Sequence, residues 1–254
     1  MPRPEFATAE NAEPVLEQML RHRSVRDFAP TPLDDATIER AVRAAQCAPT
    51  SSWIQAYHLL QVTDAAARAR LVELTGGQRQ VAEAGAFFVL AGDTRRHRLI
   101  AAREGQPYAS STEVFLLATV DATLFAQNLT LAFEALGLGV CFIGGLRNDL
   151  RAVDELLAIP AGIFPLYGLC VGVPASDPGT RPRLAPRAVW TKDRYPTDGD
   201  VLARTDDHDA VAADYYAERG APGRNWSGGA WRKFAKTMRP DLKAYYESKG
   251  ASFE

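Results

Sequence analysis

Cysteine is scarce in this sequence. Its three cysteines, Cys47, Cys141 and Cys170, lie far apart in apolar company, and none forms a CxxC pair. An odd, dispersed set is a poor disulfide framework, so buried reduced thiols are expected. An excess of charge of either sign is also missing. Twenty-nine Lys plus Arg stand against thirty-one Asp plus Glu, a formal charge of −2. That balance argues against bulk attraction to nucleic acid or to an anionic membrane. The four histidines, His22, His58, His97 and His208, form no HExxH and no zinc-ligand spacing with a cysteine, so no metal site is expected. There is no GxSxG elbow and no GxxxxGKS or GxxxxGKT loop. The N-terminal MPRPEFATAENAEPVLEQ carries no apolar run behind its basic residue, so no secretory signal is expected. Repeats and low-complexity segments are absent too.

What is present is an ordinary globular composition, 46% hydrophobic and 24% charged over 254 residues, enough for a sizeable core. The most apolar stretch, Val114–Phe133, is interrupted or bordered by Asp121, Gln127, Asn128 and Glu134. Those groups would be buried in lipid by a spanning helix, so a central core helix fits better. Periodicity and turn signals predict helices over about 13–20, 34–47 and 112–136, the last ended by Gly137. A helix capped by Thr63 and ended by Gly76-Gly77 is predicted, and another capped by Asn148 through Leu157. Strands are predicted at 58–62, 86–91, 140–143 and 165–173. Residues 94–111 read as a surface excursion and 174–186 as a proline-rich connector. Two helices, about 206–219 and 227–249, complete the chain. This alternation, with helices dominating, points to α+β layers.

Several local patterns suggest a ligand. Arg21, His22, Arg23, Ser24 and Arg26 crowd one inter-helix segment, and arginine forks match phosphate oxygens bidentately. The same cluster reads equally as a solvated basic turn. Arg181 and Arg183 flank a stiff Pro182, and spacing alone does not bring the two clusters together. Gly144-Gly145, after an apolar strand, lets backbone amides approach a flat ligand, or simply ends the strand. GLGVCFIGG fails as a dinucleotide fingerprint, because Phe142 stands where the third glycine belongs and the glycines follow a helix. Gln78 could offer an amide to a heterocycle. Trp53, in a polar turn, needs a core or a ligand to cover it.

The segments HRSVRDF, PTSSWIQ, TGGQRQVAEA, AQNLTLAFEALGLGVCFIGGLRN, PLYGLCVGVP and RPRL follow one another in the order found in the nitroreductase family. Over about residues 15–250, including YYAERG and MRPDLKAYY, the chain resembles the NADPH-dependent, oxygen-insensitive nitroreductase and flavin reductase branch. That resemblance implies a nitroreductase-like α+β fold, with a central mixed sheet flanked by helices and a long core helix at a homodimer interface. It implies an FMN-binding core over 13–190, with the excursion at about 94–111. A C-terminal helical extension over 191–254 would help to bind NADPH and wrap the dimer. His22, Arg23, Ser24 and Arg26 would then hold the FMN phosphate, ribityl chain and ring edge, with Arg181 and Arg183 completing the phosphate grip. Thr50, Ser51 and Ser52 would contribute across the interface. Gln78 would contact the isoalloxazine, and Phe142, Ile143, Gly144 and Gly145 would present backbone groups to it. Trp53 would face the substrate channel, and Arg219 foremost, with Arg224 and Arg239, would recognise the extra phosphate of NADPH in preference to NADH. The implied activity is ping-pong electron transfer from NADPH to nitroaromatics, quinones or similar flat acceptors, in the cytoplasm, with no nucleic-acid or membrane partner. Delivery of reduced free flavin to a partner enzyme, or flavin binding without turnover, are the alternatives.

Overall fold

The structure, a computed structural model, describes residues 9–253, with side chains from residue 14 onward. The chain divides into two compact units: the residues up to Pro178 together with the segment from Asp241, and the Gly179–Pro240 segment between them.

The first unit is organised by strand β2 (Ala86–Asp93), which is buried along its whole length. A strand sends successive side chains to opposite faces, so a fully buried strand must be covered on both. Phe87 and Val89 join one core cluster, and Phe88 and Leu90 join the other. β2 pairs with β1 (Tyr57–Gln61) on one side and β4 (Ile163–Gly172) on the other, and β3 (Gly139–Ile143) closes the order β1-β2-β4-β3. All three strand pairs are antiparallel. The sheet is therefore more uniform than the mixed one expected, its parallel component among the described residues being the single bridge Ser24–Val140. The α+β class is as expected.

Helix α1 spans Ala9–Leu20 and α2 spans Asp35–Ala45; α2 is capped by Asp34, whose carboxylate accepts from the Thr37 amide at 2.7 Å. Helix α3 (Ala65–Leu74) is capped by Asp64 and not by Thr63, and the short α4 covers Gln80–Glu83. The 94–111 region contains α5 (Arg95–Arg103). Long helix α6 (Thr112–Ala135) buries Ala118, Ala122, Phe125, Leu129 and Phe133. By length and composition it could cross a membrane, but that buried face is a wall of the core. Asp149, and not Asn148, caps α7 (Leu150–Leu157).

In the second unit α8 covers Pro186–Val189, and α9 runs over Asp198–Glu218, starting eight residues earlier than predicted. A reciprocal capping box between Thr197 and Asp200 sets that start. The expected 227–249 helix is two helices, α10 (Trp226–Phe234) and α11 (Leu242–Ser248). Between them Arg239 adopts φ 53 and Pro240 has no amide to continue the ladder. Helix α11 belongs to the first unit. There Tyr245 donates to Asp154 at 2.7 Å, Tyr246 to the Pro165 carbonyl at 2.8 Å, and the Lys249 ammonium to Asp154 at 2.7 Å and the Ile159 carbonyl at 2.6 Å. Cys141 and Cys170 are buried as expected, whereas Cys47 is exposed.

Candidate functional site

Strand β3 has the arginine-rich segment along its edge from Val140 and the glycine pair just past its end. The Val25 amide donates to the Val140 carbonyl at 2.9 Å, and Ser24 bridges Val140, so residues 23–26 run along the β3 edge. Gly139 permits this approach, since a Cβ there would lie 2.7 Å from Val25 Cγ2. Arg26 is exposed, and its cation lies near enough to act on Cys141, whose thiol is pushed up by burial and drawn back by the guanidinium. Arg23 is held by Asp177 at 2.7 Å.

His22 donates through Nδ1 to Glu134 Oε1 at 2.6 Å, an assignment that follows from the carboxylate being an acceptor. That contact fixes the tautomer and leaves Nε2 for another partner. The second oxygen of Glu134 is buried without a partner, a costly arrangement to leave at a site with no use for it.

β3 then delivers Phe142, Ile143, Gly144 and Gly145. Phe142 is 39% exposed, with its ring edge-on to Tyr167 at 5.2 Å. The Tyr167 hydroxyl donates to Thr123 at 3.0 Å, and burial raises its pKa. A Cβ on Gly145 would lie 2.5 Å from the Thr75 carbonyl and closer still to the Gln78 amide nitrogen. The Gln78 amide therefore lies directly against the Gly145 backbone. It is fixed by donation to the Thr75 carbonyl at 3.1 Å and by acceptance from Gln80 at 3.2 Å. Beside Gly144 the backbone is open: a Cβ there would meet only the Arg147 guanidinium within 4 Å. Arg147 is anchored on the Leu166 carbonyl.

The serine-rich turn is anchored elsewhere on α6. Ser51–Trp53 form a 3-10 turn, and Ser52, Trp53 and Gln55 all take positive φ, a conformation that non-glycine residues keep only when surroundings enforce it. The buried Asp121 carboxylate accepts from the Ser51 and Ala56 amides, each at 3.0 Å. His97 Nε2 adds a contact to the Ile54 carbonyl at 2.8 Å. Trp53 is left 84% exposed. Asp121 and the His22 partner Glu134 stand thirteen residues apart on α6, about 20 Å along its axis. Within one chain, Thr50, Ser51, Ser52 and Trp53 are thus anchored far along the helix from His22. Arg181, Arg183, Arg219, Arg224 and Arg239 all lie in the second unit. There the Arg219 guanidinium sits over the Tyr215 ring at 5.0 Å and close to Gly179. Arg181, Arg183 and Arg224 are exposed, and Arg239 is half-buried.

Four residues of this neighbourhood were not picked out from the sequence: Asp121, Glu134, Arg147 and Tyr167. The first two did leave a signal, as carboxylates set in an otherwise apolar helix. Arg147 and Tyr167 left none, since only the sheet brings them to Gly144 and Phe142.

An antiparallel sheet with a core cluster on each face defines an α+β protein. Comparison with known families agrees with that class. Residues 19–173 match the Nitroreductase family and residues 181–254 the Nitroreductase family, C-terminal domain. The chain is 39% identical to the oxygen-insensitive NADPH nitroreductase of Salmonella typhimurium, across 93% of this chain and 98% of that one. It is 38% identical to the FMN reductase (NADPH) of Bacillus subtilis, across 92% and 97%. Among solved structures, the NfrA1 nitroreductase of B. subtilis superposes with a TM-score of 0.90 at 37% identity, covering 93% of this chain and 98% of that one. The chain belongs to the nitroreductase family.

Proposed function

We propose that the protein is an FMN-dependent oxidoreductase that takes electrons from NADPH and passes them to nitroaromatics, quinones or similar flat acceptors, as a cytoplasmic homodimer. The observation that carries this reading is that β3 carries Arg23, Ser24 and Arg26 along its edge from Val140 and, just past Ile143, the open backbone at Gly144 and the fixed amide of Gln78 against Gly145.

The residues present fit FMN. Arginine cations and a serine hydroxyl suit its phosphate, and the bare edge beside Gly144, next to the exposed Phe142, suits a planar ring. When bound, FMN supplies the redox chemistry, alternately accepting a hydride from NADPH and giving electrons to the acceptor. The chain's own groups bind and orient. Arg23 and Arg26 hold the phosphate, with Arg181 and Arg183 assigned to the same anion. His22, kept in one tautomer by Glu134, offers its second nitrogen. Gln78 and the Phe142–Gly145 backbone hold the ring edge, and the Arg147 cation lies beside it. No side-chain nucleophile or general base is required. Arg219, with Arg224 and Arg239, is assigned to the phosphate that distinguishes NADPH from NADH.

Two features support a dimer. On α6, Leu116, Val120 and Leu124 form an exposed apolar stripe at helical spacing, 54%, 46% and 39% exposed. The separation of the serine-rich turn from His22 is then met by the partner, whose Thr50–Trp53 turn would complete the site. Sedimentation tests the dimer, and a monomer at micromolar concentration refutes it. Anaerobic addition of NADPH to the yellow protein tests the activity. Rapid bleaching is expected, and colour that persists would mean flavin binding without turnover. The name of the B. subtilis relative favours a second reading, delivery of reduced free flavin. Steady-state rates with a nitroaromatic, a quinone and free FMN separate the two.

A further inference from the structure

The strained turn at residues 51–55 is gripped from two sides, and one grip comes from the 94–111 excursion, to which the reaction above gives no role. Ser52, Trp53 and Gln55 take φ 47, 59 and 52. Left-handed backbone at three non-glycine residues does not persist on local preference, so the groups holding the turn impose it. From α6, the Asp121 carboxylate accepts the Ser51 and Ala56 amides. From α5, His97 Nε2 donates to the Ile54 carbonyl at 2.8 Å, a direction fixed by the carbonyl being only an acceptor. Arg96 adds a donation to the Gln55 carbonyl at 3.3 Å.

Helix α5 is itself tied down, so it serves as a fixed point. The Thr94 amide and hydroxyl both donate to the Gly162 carbonyl, at 2.9 and 3.1 Å. Arg95 and Arg98 both donate to the Ala161 carbonyl at 3.3 Å. The buried Asp93 accepts from the Arg96 amide at 3.1 Å. The grip therefore runs from the start of β4 through α5 to Ile54 and Gln55. Trp53 lies between these gripped positions and Ser51, and its ring is bare within its own chain. In the dimer proposed above this turn reaches the partner's flavin, so the ring that one chain leaves bare is covered there by flavin and acceptor. An indole on a backbone already fixed stacks on a planar molecule without the cost of ordering a loop.

We propose that His97 is a positioning residue for the electron acceptor: by holding the Ile54 carbonyl it fixes Trp53 as a stacking wall beside the partner's flavin, which favours planar aromatic acceptors over those that cannot stack. This role rests on the flavin and dimer reading given above. It is tested with the FMN-loaded protein and NADPH, using 1,4-naphthoquinone as the flat acceptor and octahedral ferricyanide as the one that cannot stack. His97→Leu should raise KM for the naphthoquinone about three- to tenfold, the worth of one aromatic stack, with kcat within about twofold. Flavin occupancy and ferricyanide turnover should stay within about twofold of the parent. His97→Gln keeps a side-chain donor and should return KM to near the parent value; equal effects of Leu and Gln would overturn the role of the hydrogen bond. Trp53→Ala should raise the same KM, and His97→Leu/Trp53→Ala should raise it no further, since the two residues act as one unit. Amide hydrogen exchange over residues 51–56 should quicken in His97→Leu, which reads the grip without turnover. Additive KM effects, or an equal loss with ferricyanide, would mean that His97 does not act through Trp53, and would overturn this inference while the flavin reading stands. Flavin lost from His97→Leu would assign the grip to FMN binding and overturn it too. A parent chain that holds no FMN, or whose flavin NADPH does not bleach, overturns the flavin reading and this inference with it.

Discussion

The two units handle apolar surface in opposite ways. In the first, Phe87, Phe88, Phe125, Phe133 and Phe164 are essentially sealed, and the strand that carries two of them is covered on both faces. In the second, Trp190, Tyr195, Leu202, Trp231 and Phe234 are each more than 60% exposed, and α9 buries only His208 and Ala212. A protein keeps such side chains in water when something else is to cover them. The first unit thus seals most of its large apolar side chains in a core, whereas the second leaves most of its own in water.

The sharpest test of this contrast is a pair of ion-pair deletions. Lys249→Met in the first unit leaves Asp154 largely buried without its cation, their side chains being 9% and 17% exposed. It should cost about 3–5 kcal/mol in urea unfolding. Arg187→Ala in the second unit breaks a pair whose side chains are 68% and 57% exposed, and should cost about 0–1 kcal/mol. Comparable costs would erase the distinction. Next in size, Arg26→Ala should weaken FMN about ten- to hundredfold, the loss of one charge-assisted contact. The melting temperature of the flavin-free chain should not move, and unchanged flavin occupancy would refute the phosphate assignment. Arg219→Ala should lower kcat/KM for NADPH about tenfold and leave NADH within twofold; an equal loss would give the residue another role. Trp231→Ala should change chain stability by about 0.5 kcal/mol or less, because the ring is already exposed. The smallest effect concerns acid. Hydrogen bonds from Thr37 and Thr197 lower the pKa values of the cap Asp34 and of Asp200, the capping-box partner of Thr197, one in each unit. A lowered folded-state value means their stabilisation is present above the ordinary carboxylate value of 3.8 and is lost as pH falls through the folded one. Asparagine at either position should flatten the acid limb of the stability curve, equally in both units.

Local chemistry explains what was legible in the sequence. The AFFVLA run at 86–91 announced a buried strand, and Gly137 placed the end of α6. The Arg21–Arg26 cluster and the Gly144-Gly145 pair were visible as two fragments, and the Val25–Val140 contact sets both on β3. Starting the helix at about 206 missed the capping box at 197–200, because TDGD carries both turn and cap signals. Pro240 should have split the 227–249 helix, because it has no amide to continue the ladder. Asp121 anchors a loop seventy residues back in sequence, and no spacing rule reaches that far. The strain at Ser52, Trp53 and Gln55 is likewise invisible in the letters, since it exists only because α6 and α5 hold the loop.

The placement of α11 has a consequence for synthesis. The face that Tyr245 and Tyr246 seal, with Asp154, Phe164 and Pro165 on it, is complete before Gly179 is made, yet its cover leaves the ribosome only after all of Gly179–Pro240. The nascent chain must carry an open hydrophobic wall through that interval. Slow elongation or premature termination between residues 179 and 240 should therefore recruit chaperones far more strongly than the same event before residue 86.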